Sequence, residues 1–301
     1  MTIGRVSDAQ SSALLVARTG RLQVTIDDLE EQIASGKRFE RPEQDGFGAA
    51  QVVRSGSDLG GLAQYAASSS FGSTVLSAQD QALGEAEQIM VRAQEIATQQ
   101  ASGLLSPSER AAAREEVHGL LQGLTAIGNQ ELAGRRLFGG LALDASPPFT
   151  DPDATGYSAS TAYVGSTQEF SIQVGGSASE RVRISTRGDA VFGDSLTALE
   201  SLETALAPGG DVPSTLAGLA QGQATIDAER ASVGAREAGL IDRGQQLSGL
   251  TVHEQETLSH VQDADLAAVI ARLTQAQTAL QATLAAAAQL AQTSLASLLH
   301  L

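Results

Sequence analysis

"LTQAQTALQATL", residues 273–284, sets Leu273, Leu280 and Leu284 on a seven-residue pattern close to the C-terminal end of the sequence. Positions three, four and seven apart share one face of a helix, so the spacing predicts an apolar stripe. Leu266 and Ile270 extend the stripe upstream, Gln277 sits within it, and Ala287, Ala291, Leu295 and Leu298 continue it. A lone amphipathic helix is marginal in water, so this one requires a partner. Gln277 in the seam would fix register at some cost in stability.

The N-terminal end supplies a matching face. From Ser7 to Ser35, Leu15, Leu22 and Leu29 recur every seven residues with Ile26 and Ile33 between them, and Gly36 supplies a stop. This helix is about 40 Å long at 1.5 Å per residue. Pairing the two ends gives an antiparallel coiled coil of residues 1–42 and 261–301.

Between the ends, "GKRFERPEQDG" (36–46) reads as a charged linker. A helical region from about Gly48 to Ser102 carries Leu76, Leu83 and Met90 in steps of seven, widened by Ile89 and Ile96. "SPSE" (106–109) is a helix start, with Ser106 as N-cap, Pro107 at the first position and Glu109 completing a capping box. The helix it opens points Val117, Leu121, Leu124 and Ile127 inward and is expected to end near Gly134.

From Leu141 to Phe192 the texture changes to Gly, Ser, Pro and Asp, and the period becomes two. Phe170, Ile172 and Val174 alternate, as do Val182 and Ile184, with "GGSASE" turning between them as a hairpin. Helical periodicity resumes at Ser195, and Leu219, Ile226, Val233, Leu240 and Leu247 form one seven-residue column. The expected fold is mainly α with a small β insert. It combines a terminal antiparallel coiled coil, an elongated helical bundle from 43–140 and 195–260, and an inserted β domain at 141–194.

Composition narrows function. A formal charge of −16 disfavours nucleic acid and anionic lipid, and no stretch has membrane-spanning strength. Zero cysteines remove disulfides and thiol chemistry, and "MTIGRVSDAQ" has no apolar core of a cleaved signal peptide. His118, His253, His260 and His300 read as surface or packing residues, not zinc ligands. "DADL" reads as Asp263 capping a helix with Asp265 in its first turn, not as an acid/base pair. No phosphate loop or nucleophile elbow occurs, so the sequence reads as neither an enzyme nor a cofactor-binding or metal-binding protein. "RGD" (187–189) reads as a turn before Phe192, with integrin-type adhesion as a rival use.

"EQIASGKRFERPEQDGFGAAQVV" (31–53) and "VQDADLAAVIARLTQAQTALQATL" (261–284) resemble the N- and C-terminal segments of bacterial flagellins and their junction relatives. Within that superfamily, "GNQELAGRRLFGG" (128–140), "YVGS" (163–166), "RISTRGDAVFG" (183–193) and the ending "SLASLL" look most like the hook-filament junction proteins. The resemblance implies a structural subunit of the extracellular flagellum, exported without a cleaved signal, with the terminal coiled coil innermost and the β domain outermost. The implied partners are further copies of itself, hook-associated protein 1, flagellin and a flagellar export chaperone. Expected assembly contacts are Leu15, Leu22, Ile26, Leu29 and Ile33 at one end and Leu266, Ile270, Leu273, Leu280 and Leu284 at the other. Arg92, Ile96 and Glu116 fall where flagellins meet an innate immune receptor, a secondary expectation. The rivals are a filament flagellin and a secreted adhesive or host-binding protein.

Overall fold

A computed structural model describes residues 3–101, 106–141 and 146–299, with side-chain surroundings described between residues 13 and 289. The expected helix end at Ser102 and the side chains of Ala291, Leu295 and Leu298 lie outside the described residues. Six α-helices run through the described residues: α1 (Ile3–Ser35), α2 (Gly46–Gln100), α3 (Pro107–Gly128), α4 (Gly188–Ala205), α5 (Leu216–Gln262) and α6 (Leu266–Leu299). Two small antiparallel hairpins, β1 (Glu131–Leu132) with β2 (Arg135–Arg136) and β3 (Ser171–Gln173) with β4 (Arg181–Arg183), lie between α3 and α4.

The chain divides into two units, Met1–Gly60 with Val252–Leu301, and Gly61–Thr251. In the second unit the seven-residue columns point into the core. Leu76, Leu83 and Met90 of α2 and Leu219, Ile226, Val233 and Leu240 of α5 are essentially fully buried with Val117, Leu121 and Leu124 of α3. Burying such a side chain contributes about 1.5–3 kcal/mol. Ser106 begins α3 as the sequence requires: its hydroxyl accepts from Glu109 N–H, and the Glu109 carboxylate accepts from Ser106 N–H at 2.7 Å.

The segment between α3 and α4 joins this same core. Phe138, Phe149 and Phe192 meet edge to face, with Phe138–Phe192 centroids 4.8 Å apart and Phe149–Phe192 centroids 6.0 Å apart. Edge-to-face contact suits the quadrupole of the rings. The β3–β4 register pairs Ile172 with Val182, and Ile172, Val174 and Ile184 are buried. Polar cross-links hold this covering segment down. Gln79, fully buried on α2, donates to the Leu137 and Ile184 carbonyls at 3.0 and 3.1 Å and accepts from Thr186 Oγ1 at 3.0 Å. All three bonds satisfy a buried amide that would otherwise be costly.

Two helix boundaries differ from the sequence reading. α3 ends at Gly128 instead of near Gly134, because Ala133 (φ 51) and Gly134 (φ 78) are the two turn residues of the β1–β2 hairpin. A two-residue turn with both φ values positive matches the twist of paired strands. α4 begins at Gly188 instead of Ser195, with Arg187 at its N-cap and Asp189 in its first turn. The Gly188 N–H donates to Phe138 O at 2.9 Å, so this helix start is anchored to the "LFGG" segment.

Candidate assembly interface

In the first unit α1 and α6 pack antiparallel. Gly36, at φ 69, closes α1 with its N–H on Gln32 O at 2.9 Å, a conformation glycine adopts without strain. Beyond it the backbone pairs with the α5–α6 junction. Arg38 N–H donates to Gln262 O at 2.7 Å, Ala264 N–H donates to Gly36 O at 2.9 Å, and Lys37 faces Asp263 in an antiparallel bridge. The charged stretch 36–46 is therefore an ordered crossing. Phe39 is buried in it, Asp45 starts α2 by accepting from Gly48 N–H at 2.8 Å, and Arg38 reaches the other Asp45 oxygen at 2.7 Å. These two donors hold the Asp45 carboxyl below its ordinary pKa, the Gly48 bond contributing most.

Asp265, not Asp263, caps α6: its carboxylate accepts from Ala268 N–H at 3.1 Å. Asp263 is committed to the bridge with Lys37 and to a hydrogen bond from Ser259 at 2.5 Å, so the cap falls two residues later. Downstream, Ile26 and Leu29 of α1 bury against Val269 and Ala276 of α6, with Ile33, Ala264, Leu273 and Leu280 packed around them.

The ten expected contact residues fall into three groups. Ile26 and Leu29 are buried; Leu15, Leu22, Ile33, Leu273 and Leu280 are half-buried; Leu266, Ile270 and Leu284 are exposed, the last two by about half of their surface. The seam on α6 thus differs from the expected one. Val269, Ala276 and Thr283 form its buried column, whereas Gln277 is exposed beside it, so Gln277 does not set the register of this pair. Ala276 and Thr283 carry little hydrophobic signal beside the bulkier Ile270 and Leu284 of the neighbouring column. Thr283 tolerates burial because its hydroxyl donates to Ala279 O at 2.7 Å.

α6 consequently carries two adjacent columns, one buried against α1 and one uncovered, in which Gln277 stands between Ile270 and Leu284. Val16 and Val24 of α1 are likewise more than half exposed. No charged residue follows Arg272 on α6, so bringing other helices against the part beyond it would desolvate no ion of this helix. A helix apolar beyond one stripe is suited to burial on more than one side.

Two other expected surfaces are altered by the structure. Ile96 belongs to the core of the second unit, so it cannot belong to a receptor-contact patch; Arg92 and Glu116 do meet at the surface, 2.6 Å apart, with Glu95 also on Arg92 at 2.9 Å. Arg187 and Asp189 do not flank an open turn. They bind each other in two hydrogen bonds of 3.1 and 2.6 Å at the start of α4, and that partner lowers the Asp189 pKa. An adhesive tripeptide needs both charges free, so the adhesion reading loses its residues. Among the described residues no cluster of three or more His, Asp or Glu could hold a metal ion, and no helix is long and apolar enough to cross a membrane.

Residues 6–142 match the bacterial flagellin N-terminal helical region. Over 168 residues the chain is 28% identical to flagellar hook-associated protein 3 of Escherichia coli (strain K12), covering 56% of this chain and 50% of that protein. The match thus spans half the length of this curated relative. Among solved structures, a putative flagellar hook-associated protein from Vibrio parahaemolyticus superposes with a TM-score of 0.64 at 15% identity, covering 73% of this chain and all of that one. Bacillus cereus FlgL superposes with a TM-score of 0.58 at 18% identity, covering 68% of this chain and 99% of its own. Hook-associated protein 3 from Legionella pneumophila gives 0.61 at 12% identity, covering 70% and 98%. These structural likenesses establish the fold: the chain has the fold of the flagellar hook-associated proteins, and its N-terminal part is similar to the helical region of bacterial flagellins.

Proposed function

We propose that the chain is a structural subunit of the bacterial flagellum that joins the hook to the filament. It assembles with copies of itself through α1 and α6, outside the cell. The observation that carries this reading is the uncovered column Leu266–Ile270–Leu284 beside the α1–α6 seam, in a chain whose residues 6–142 match the flagellin N-terminal helical region. An interface needs apolar area withheld from the monomer's own core, and this column supplies it without any charge to desolvate.

In this role packing replaces catalysis. One face of the assembled ring meets the hook-side hook-associated protein 1 and the other accepts flagellin, while an export chaperone covers the apolar column before assembly. Electron microscopy of a tagged chain tests the reading directly: label confined to the hook tip is expected. Label along the whole filament would reassign the chain as a flagellin, and flagella without label would overturn the proposal.

A further inference from the structure

His118 on α3 lies between two carboxylates from different elements. Its Nε2 is 2.9 Å from Asp153 Oδ1, in the segment before α4, and its Nδ1 is 3.4 Å from Glu203 Oε2 on α4. Gln122, one turn along α3, donates to the second Asp153 oxygen at 2.8 Å, and the same amide nitrogen lies 3.3 Å from His118 Nε2. The Asp153 N–H in turn donates to Asp151 Oδ1 at 3.0 Å, which shapes the loop. Arg114 of α3 faces the other Glu203 oxygen at 3.6 Å, and Glu200, a turn earlier on α4, accepts from Ala159 N–H at 3.1 Å.

A neutral imidazole carries one N–H and one lone pair. It can donate to Asp153 or to Glu203 but not to both: with the proton on Nδ1, the Nε2 lone pair can accept only from the Gln122 amide and the Asp153 bond is lost, and with the proton on Nε2 the Glu203 bond is lost. Only the imidazolium satisfies both contacts. We infer that His118 is a proton-gated clamp that ties the loop around Asp153 to α3 and α4 when doubly protonated and releases one tie when neutral.

The environment agrees with the geometry. The Asp153 hydrogen bond is the largest influence on His118, and with Glu203 it raises the imidazole pKa above its ordinary 6.5 against the opposing effect of partial burial. The sign follows: a raised folded-state pKa means the clamp's contribution is complete below the unfolded value and is lost as pH rises through the folded one. The window therefore opens above about pH 6.5. Arg114 keeps its charge throughout this range, so Glu203 retains one cation after His118 releases its proton.

NMR titration of the His118 ring in the full chain gives the first test. His118 is expected to titrate above the ordinary imidazole value of 6.5; a midpoint at or below that value would overturn the clamp. Hydrogen-exchange protection factors for residues 150–162, corrected for intrinsic rate, give the second. Protection in the wild type should fall with rising pH by roughly tenfold for each unit by which His118 is elevated. In His118→Gln it should stay level across the same window. An equal fall in both proteins would assign the pH response to another group and sink the inference.

Discussion

Asn129 and Phe149 bind each other through a reciprocal pair of hydrogen bonds. The Asn129 amide donates to Phe149 O at 3.0 Å, and its carbonyl accepts from Phe149 N–H at 2.8 Å. A side chain here imitates one rung of a β-ladder, and it holds the Phe149 ring against Phe192 and Tyr163. Asn129 is the only asparagine in the chain. Asn129→Ala removes both bonds and leaves two backbone groups near the core poorly satisfied. The expected loss is about 1–3 kcal/mol in a denaturant titration. An unchanged midpoint would mean that water replaces the amide without cost.

Gly140 and Gly119 are expected to respond in opposite directions to alanine. Gly140 sits at φ 63, and a Cβ there would lie 2.1 Å from Ser166 O and 2.8 Å from Gln168 O, both backbone atoms that cannot swing aside. Gly140→Ala should lower the melting temperature strongly, since strain and clash add. Gly119 lies within α3 with open space around its would-be Cβ. Gly119→Ala should raise stability by about 0.5–1 kcal/mol through helix propensity alone.

The contrast between long-range and periodic features explains what the sequence disclosed. Columns such as Leu219–Leu247 and the Ser106–Glu109 box are local signals, decided by spacing within one helix, and the structure places them as expected. The end of α3 was illegible because the chain after it turns back as a hairpin with Ala133 at positive φ, a conformation that an alanine does not announce. Gln79 carries no periodic signal of its own, yet three bonds with distant segments make it a fastener. On α6 the error was one of size: Ala276 and Thr283 face α1, and residue bulk misled where register mattered.

Alkaline titration should separate the half-buried tyrosines Tyr157 and Tyr163. Burial, reinforced by Glu200 beside Tyr157 and Asp189 beside Tyr163, pushes both phenols up to about 12 from an ordinary 10.0. A raised pKa means that the folded state holds the proton more tightly, so stability is intact below about pH 10 and declines as pH climbs toward 12. Spectrophotometric titration of tyrosinate should show that two of the three tyrosines resist ionisation until that range or until unfolding. Full ionisation near pH 10 with the fold intact would contradict the burial described for them.

Leu284→Asp and Val269→Asp should distinguish assembly from folding on one helix. Leu284 is half exposed, so a carboxylate there remains in water and the monomer's stability should change by no more than about 0.5 kcal/mol. Assembly, however, would have to bury that charge without a partner, and filament attachment should fail. Val269 is buried against α1, so Val269→Asp brings the same penalty into the monomer and should melt the α1–α6 pair, read as lost helicity by circular dichroism. The second unit contains neither residue and should retain its own unfolding transition in both variants. Swimming cells with filaments attached in Leu284→Asp would remove the uncovered column from the interface, whatever Val269→Asp does.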